Sequence, residues 1–507
     1  MEEAKKGIPE WAAKLKGKHQ SIHARNGHYY LYDVKYAYDK ESKRSKVSES
    51  RMVGVLDEVR GIIPARRKGP AIPKPPSVLE YGATDALESL GSDIRENLRR
   101  EFGVEDGDRI MAIGKFGLTD RQPEKRIRNA YECSYESVRH PGLALSGSSI
   151  SELTVRIGRD REAQVRFMRH YMDGATHIVF DGTRLVCQSG NNSLAAIGYN
   201  HVGLKDPQVN LMYCFSLRPR KMPVYYRALP GNMPDVSGFV TCIREMGVKG
   251  VTVIADTGFE SFDNSAELKK SGIRFLRPLK RDDARIVYVQ DPEKPSSYDG
   301  SFLYRGRPIL YKRIVCHSFV TAKEEWGKRG RPPKGWTPKE TLTEKDAVIL
   351  FYDESMAHRE KATFLKAMAE KRDGYDAKSY EKAYPAMGTI ALACNSDEGP
   401  ETLFVTYKER ELIEDGNKAY KDVLDRFASH KRSEPSYLGW LFLNHVSLML
   451  YYRVYERIRE SGHEKDYSVE DVIDAARRIQ MVRLNDEWLE TTPTLKDLRP
   501  YDNVLQK

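Results

Sequence analysis

The sequence predicts a multidomain α/β protein whose main domain is built on a mixed sheet. Three observations lead there. First, three β-rich runs in succession, "THIVFDGT" (176–183), "VNLMYCFSL" (209–217) and "MPVYYRAL" (222–229), give way to alternating helix and strand. Second, "IIPARRKGPAIPKPPS" (62–77) holds five prolines and forms no regular element, so it separates the segments on its two sides. Third, 507 residues exceed what one compact core fills.

Taken in order, residues 1–61 read as a basic β-hairpin arm. In it "HYYLYDVKYAY" (28–38) alternates sides, "DKESKRSK" makes a charged turn and a second strand covers 51–56. Residues 62–78 are the linker. Residues 79–174 are helical in pattern, and "LSGSSISEL" offers Ser149 as an N-cap with Glu152 three residues later. Residues 175–284 form the first part of the α/β core: the three strands, a helix at 235–247, a strand "VTVIAD" (251–256), a helix at 263–271 and a strand "IRFLRPL" (273–279). Residues 285–400 read as an insertion of strand-like and basic pieces, and 401–507 as helices.

Charge is unevenly spread. Residues 1–78 hold 17 Lys/Arg against 9 Asp/Glu, which is +8 of a formal net charge of +10. A basic arm on a near-neutral body favours an anionic partner such as nucleic acid, against the alternative of a solvated lysine-rich terminus. Six scattered cysteines without a C-x-x-C pair argue against a zinc ribbon or a disulfide framework. The first residues lack the apolar stretch of a signal peptide. Pro435–Tyr452 is uncharged, but Asn444, His445 and Ser447 at its centre mark a buried helix of a soluble protein rather than a membrane span.

Two carboxylates stand out. Asp181 and Asp256 each close an apolar strand, and the carboxyl ends of strands in α/β sheets are where ligands gather. Either could simply cap the next turn. Two at one sheet end offer what a hard divalent cation requires. A further acid lies in "YKERELIEDGNKAYK" (407–421). On a helix, Tyr407, Arg410, Glu414 and Lys421 fall within an arc of about 60°, opposite an apolar stripe that includes Leu412, Ile413 and Val423. The mixture of acid, cations and phenol exceeds what a solvated face needs. Glu can hold metal, Arg and Lys can hold phosphate, and Tyr can contact a base or the backbone.

The spacing Tyr-(2)-Arg-(3)-Glu-(6)-Lys resembles the signature of one group of DDE transposases from prokaryotic insertion sequences. "VFDGT", "PVYYRALPGNMPD", "IADTGFES" and "SFLYRGRPILY" resemble further blocks of that family, so the likeness covers most of the chain. It implies a ribonuclease-H-like catalytic domain with a β-rich insertion before the glutamate helix, plus an N-terminal β-hairpin and helical DNA-binding regions. Asp181, Asp256 and Glu414 are then catalytic and hold two Mg²⁺ ions, for which Mn²⁺ can substitute, because three carboxylates make a hard oxygen site. Tyr407, Arg410 and Lys421 hold the transposon end. The implied partners are double-stranded DNA, both terminal inverted repeats and target DNA, bound by a homodimer in a synaptic complex. The implied location is the cytoplasm of a prokaryote, at the nucleoid, with no membrane partner. The chain departs from relatives at Thr257, where Arg is common, and at Asn417, where an aromatic is common, beside the helix-weakening Gly416.

One further DNA signal comes from the residues themselves. "KRGRPPKG" (328–335) carries the Arg-Gly-Arg-Pro core of a minor-groove hook, which makes Arg329 and Arg331 candidate DNA contacts. A second copy, Arg305–Pro308, sits between apolar runs and reads as a hairpin turn. Two other functions stay open: a ribonuclease-H-like nuclease without strand transfer, and a domesticated relative that only binds DNA.

Overall fold

The computed structural model describes the chain except for residues 1–6, 40–42, 65–76, 121–123, 188, 199–205, 255–267, 269–271, 284, 318–320, 324–339, 343–344, 411–430, 432, 485, 492–497 and 506–507. The chain divides into two compact units, Met1–Pro76 and Ser77–Lys507. The first is a four-stranded antiparallel sheet in the order β1 (Gln20–Arg25), β2 (His28–Asp39), β3 (Arg44–Asp57), β4 (Gly61–Pro64). The expected hairpin is its central pair. Asn26 and Gly27, at φ 50° and 79°, make the tight turn between β1 and β2, where the primed backbone matches the strand twist. Its core is small: Ala12, Leu31 and Leu56, with Trp11, Ile22 and Tyr29 packed around them.

In the second unit the helical pattern after residue 79 folds as expected, through helices Gly82–Leu90, Ser92–Phe102, Val104–Thr119, Gly147–Arg159 and Arg161–Met172. The N-cap of Gly147–Arg159 is Ser146, not Ser149: the Ser146 hydroxyl accepts the Ser149 N–H at 3.2 Å. Gly147 and Ser148 already turn helically, so the cap falls three residues earlier and Glu152 has no part in it.

These helices adjoin a nine-stranded mixed sheet. Its strands are β6 (His177–Val186), β7 (Gln208–Arg218), β8 (Met222–Pro230), β9 (Thr252–Ile254), β10 (Arg274–Pro278), β11 (Gly300–Tyr304), β12 (Arg307–His317), β15 (Lys345–Asp353) and β16 (Thr389–Cys394). The order across it is β11-β12-β15-β16-β10-β9-β6-β7-β8. β6, β9 and β10 run parallel, while β7 and β16 flank them antiparallel. The strands contributed by 285–400 therefore lengthen the core sheet, because β16 is an apolar strand that pairs β10 directly. A separate pair, β13 (Thr321–Lys323) with β14 (Glu340–Leu342), lies in the same stretch. β5 (Ser77–Glu80), β17 (Gln480–Leu484) and β18 (Glu487–Thr491) make a three-stranded sheet.

Both faces of the large sheet are covered at β6 and β7. Phe180 and Met212 point to helix Asp235–Met246, where Phe239 meets Phe180 edge-on at 5.0 Å and Gly238 backs onto Met212. The alternate residues Tyr213 and Phe215 meet helix Glu434–Glu460, through His445 and Tyr452. This is the uncharged run expected to be a buried helix, and each of its central polar residues makes a hydrogen bond within the protein, although His445 Nε2 is left without one. Asn444 donates to Trp440 O, Ser447 donates to Gly114 O, and His445 Nδ1 shares a 2.8 Å hydrogen bond with the Tyr213 hydroxyl. Burial pushes the His445 imidazole down to about 3, so it is neutral at ordinary pH. Among the described residues no helix is long and apolar enough to cross a membrane.

Candidate active site

β6 enters the sheet as an apolar strand. His177 through Phe180 are buried, and Asp181 is its first half-buried residue. Sequence texture suggests that the strand ends there. It continues to Val186, because Asp181 to Val186 stay paired with β7, from Asp181↔Tyr213 to Val186↔Gln208. On the other side the described parallel rungs run from His177↔Thr252 to Val179↔Ile254. Asp181 thus sits one step past the apolar core, toward the carboxyl end of the parallel strands. Being opposite Tyr213, it projects from the face that carries helix Glu434–Glu460. One carboxylate oxygen accepts the Gly182 N–H at 2.8 Å, which orients the group.

Helix Pro400–Glu409 begins after Gly399, with Pro at its first turn, and buries Leu403, Phe404 and Thr406. Phe404 packs among Phe302, Tyr304 and Phe351 at 4.9–5.5 Å between ring centroids. Tyr407 lies one turn on from Leu403 and packs half-buried against the core. Arg410 is the C-cap residue, and its guanidinium lies over the Tyr407 ring at 5.6 Å. The structure therefore brings these two expected DNA contacts together as one stacked pair.

Two polar anchors of this helix, one at each end, were not singled out from the sequence. Glu398, just before it, meets His177 Nε2 at 3.1 Å. Burial pushes the His177 imidazole down, against the opposing pull of Glu398. At the other end Glu409 pairs with Lys221 at 2.8 Å and lies 3.8 Å from Arg218. The only signal in the sequence is the acid at 409 directly before Arg410; nothing in local sequence points to a partner 188 residues away.

Asp256, Glu414, Lys421, Arg329 and Arg331 lie outside the described residues, as do Thr257, Gly416 and Asn417. The second Arg-Gly-Arg-Pro copy is the expected hairpin turn: Arg305 and Gly306, at φ 49° and 75°, join β11 to β12 beside the Tyr304↔Arg307 rung.

A group of Glu88, Glu136 and His140 brings ligand-type atoms within 4.8 Å of one another. Its carboxylates are already occupied. Arg95 bonds Glu88 and Glu136, and the fully buried Lys115 bonds Glu88 at 2.8 Å and Glu136 at 2.7 Å. Burial opposes the charged form of Glu88, but hydrogen bonds from Arg95 and Lys115 outweigh it and hold the carboxyl at about 2. This is an ion-pair lock among helices, with its positive charge supplied by side chains.

A solved structure of the piggyBac transposase synaptic complex with hairpin DNA is similar to this chain over 84% of each, at 11% identity and a TM-score of 0.37. Among curated proteins none matches. The model of the transposase DDE domain matches residues 173–450, more than half of the chain and the segment that carries β6, β9 and the first part of helix Glu434–Glu460, so the protein belongs to the transposase DDE domain family.

Proposed function

We propose that this transposase cleaves phosphodiester bonds at the ends of a prokaryotic insertion sequence and joins the released 3′-hydroxyls to target DNA. Asp181, Asp256 and Glu414 are its catalytic carboxylates. The observation that carries the reading is the register of β6 with β9. Each described rung joins residues 75 apart, and 75 is also the separation of Asp181 from Asp256 in the sequence. A parallel pair that keeps its register brings residues so spaced to the same level of the sheet.

The donor set fits hard divalent cations, since all three groups are carboxylates, and Asp181 stands at the edge of the apolar core. Two Mg²⁺ ions, or Mn²⁺, held by these carboxylates would lower the pKa of an attacking water and neutralise charge at the leaving oxygen. Water attacks first at the transposon end, and the freed 3′-hydroxyl then attacks the target strand. Tyr407 and Arg410, stacked on each other, and Lys421 hold the phosphates of that end. Arg329 and Arg331 enter an A·T-rich minor groove. The protein works as a homodimer that pairs two terminal inverted repeats, in the cytoplasm of a prokaryote.

The test is incubation of the protein with terminal-repeat DNA, a target plasmid and Mg²⁺ or Mn²⁺. Joined products support the reading. Cleavage without joining indicates a nuclease, and a gel shift without cleavage a DNA binder. Cleavage that survives Glu414→Gln overturns the site assignment.

A further inference from the structure

Within the unit Met1–Pro76, the neighbours of β2 and β3 do not run their whole length. β1 pairs β2 only as far as Asp33, and β4 pairs β3 only from Gly54 on. Val34 still donates its N–H to His19 O, but among the described residues Lys35–Asp39 and Arg44–Glu49 continue as a two-stranded ribbon, paired only to each other. Five to six residues of extended chain on each strand make it roughly 17–20 Å long.

The two faces of this ribbon differ. One carries Lys35 opposite Glu49 and Asp39 opposite Arg44, with Lys46 bonded to Asp39 and Lys35 to Glu49 at 2.8 Å. That face neutralises itself across the strands. The other carries Tyr36 opposite Val47 and Tyr38 opposite Ser45, exposed by 56%, 50% and 66% for Tyr36, Val47 and Tyr38. A lone two-stranded ribbon in water is marginal, and among the described residues nothing covers the two exposed tyrosines of this one. A bulge at Lys35/Tyr36, where the Ser48 hydroxyl donates to Lys35 O, adds twist to the ribbon.

We propose that this ribbon is a DNA-reading element whose tyrosine face enters the major groove of duplex DNA. The inference rests on the reading of the protein as a DNA-acting transposase. The dimensions agree, since a groove about 12 Å wide admits a two-stranded ribbon. Charge selects the partner. The unit holds 17 Lys/Arg against 9 Asp/Glu, so a polyanion is attracted to it while a second copy is repelled. Charged side chains along the strands also discourage edge-to-edge pairing with another sheet. Tyr36 and Tyr38 supply apolar ring surface and hydroxyls for base edges.

The experiment is fluorescence anisotropy of the full chain with a labelled mixed-sequence duplex several helical turns long, in metal-free buffer at several salt concentrations. Y36A/Y38A is expected to weaken binding roughly tenfold, at an unchanged salt dependence. Sedimentation of the DNA-free variants is expected to match the parent. Parental affinity in Y36A/Y38A overturns the proposal, and so does a smaller sedimenting species, which would make the tyrosine face a contact between copies. Failure of the parent to bind any duplex instead removes the transposase reading on which the proposal stands. Metal-free buffer keeps the result independent of cleavage.

Discussion

Val179 of β6 lies beside Ile254 of β9 in parallel register, the last described rung before Asp181 on one strand. Asp181 projects from the half-buried continuation of β6, so its side chain contributes little to the core. Asp181→Asn is expected to lower strand cleavage by at least about a hundredfold, because a neutral amide is a much weaker ligand for the divalent cations that would offset charge developing at the phosphate. Its thermal unfolding, followed by circular dichroism, is expected to overlay the parent. A cleavage rate within severalfold of the parent would show that the carboxylate is not catalytic.

Gly158 and Gly439 bring two helices into backbone contact. A Cβ on Gly439 would meet Thr154 O at 1.8 Å, and one on Gly158 would meet Pro435 O at 1.7 Å. No rotamer relieves a clash with backbone, so helices Gly147–Arg159 and Glu434–Glu460 must part to admit a methyl group. Gly439→Ala is expected to cost about 3 kcal/mol in a urea melt. Since Glu434–Glu460 also packs through Tyr213 on β7, the strand paired with that of Asp181, cleavage should fall with it.

Lys115 and Glu136 are both fully buried and bonded to each other at 2.7 Å. Glu136→Ala leaves the ammonium of Lys115 with Glu88 as its remaining described acidic partner. Stranding a buried charge in this way is expected to destabilise by about 3–5 kcal/mol. Replacing both partners with apolar residues of similar size is expected to restore most of that. Chemical denaturation of the single and double variants separates the two effects.

Glu80 supplies a pH dependence. Burial pushes its carboxyl up to about 7, over the opposing pull of N–H groups of Ala83 and Thr84 that donate to it. The folded value lies above the ordinary 4.5 of the unfolded chain. The stabilisation is therefore fully present below about pH 4.5 and is lost as pH rises through 7. Glu80→Gln, which keeps an acceptor without the charge, is expected to remove this loss. The melting-temperature difference between about pH 5 and pH 8 should be smaller in the variant than in the parent.

Much of this protein is legible in local sequence. The alternation in "HYYLYDVKYAY", the apolar runs of β6, β7 and β8, and the Arg-Gly turn at 305–306 each specify an element through side-chain period or backbone preference alone. The carboxylate at Asp181 and the Tyr407–Arg410 spacing are visible for the same reason, since both are patterns within one element. Local sequence also suggests two boundaries that the fold moves. Asp181 resembles a strand end because polarity rises there, but pairing with β7 carries β6 on to Val186. Ser149 resembles a cap because a glutamate stands three residues after it, but the helix starts at Gly147 under Ser146.

Side-chain period, composition and residue type are enough to say which stretches extend or coil, where charge concentrates and which acids can serve chemistry. The pairing of β16 with β10, which draws the strands of 285–400 into the core sheet, emerges only in three dimensions. So do the ion pair of Glu409 with Lys221, the contact of Gly158 with Gly439 and the uncovered ribbon of Tyr36 and Tyr38. All but the ribbon link residues that lie more than a hundred positions apart. They are fixed by which apolar faces bury one another, a choice made by the whole chain at once and written in no single segment of it.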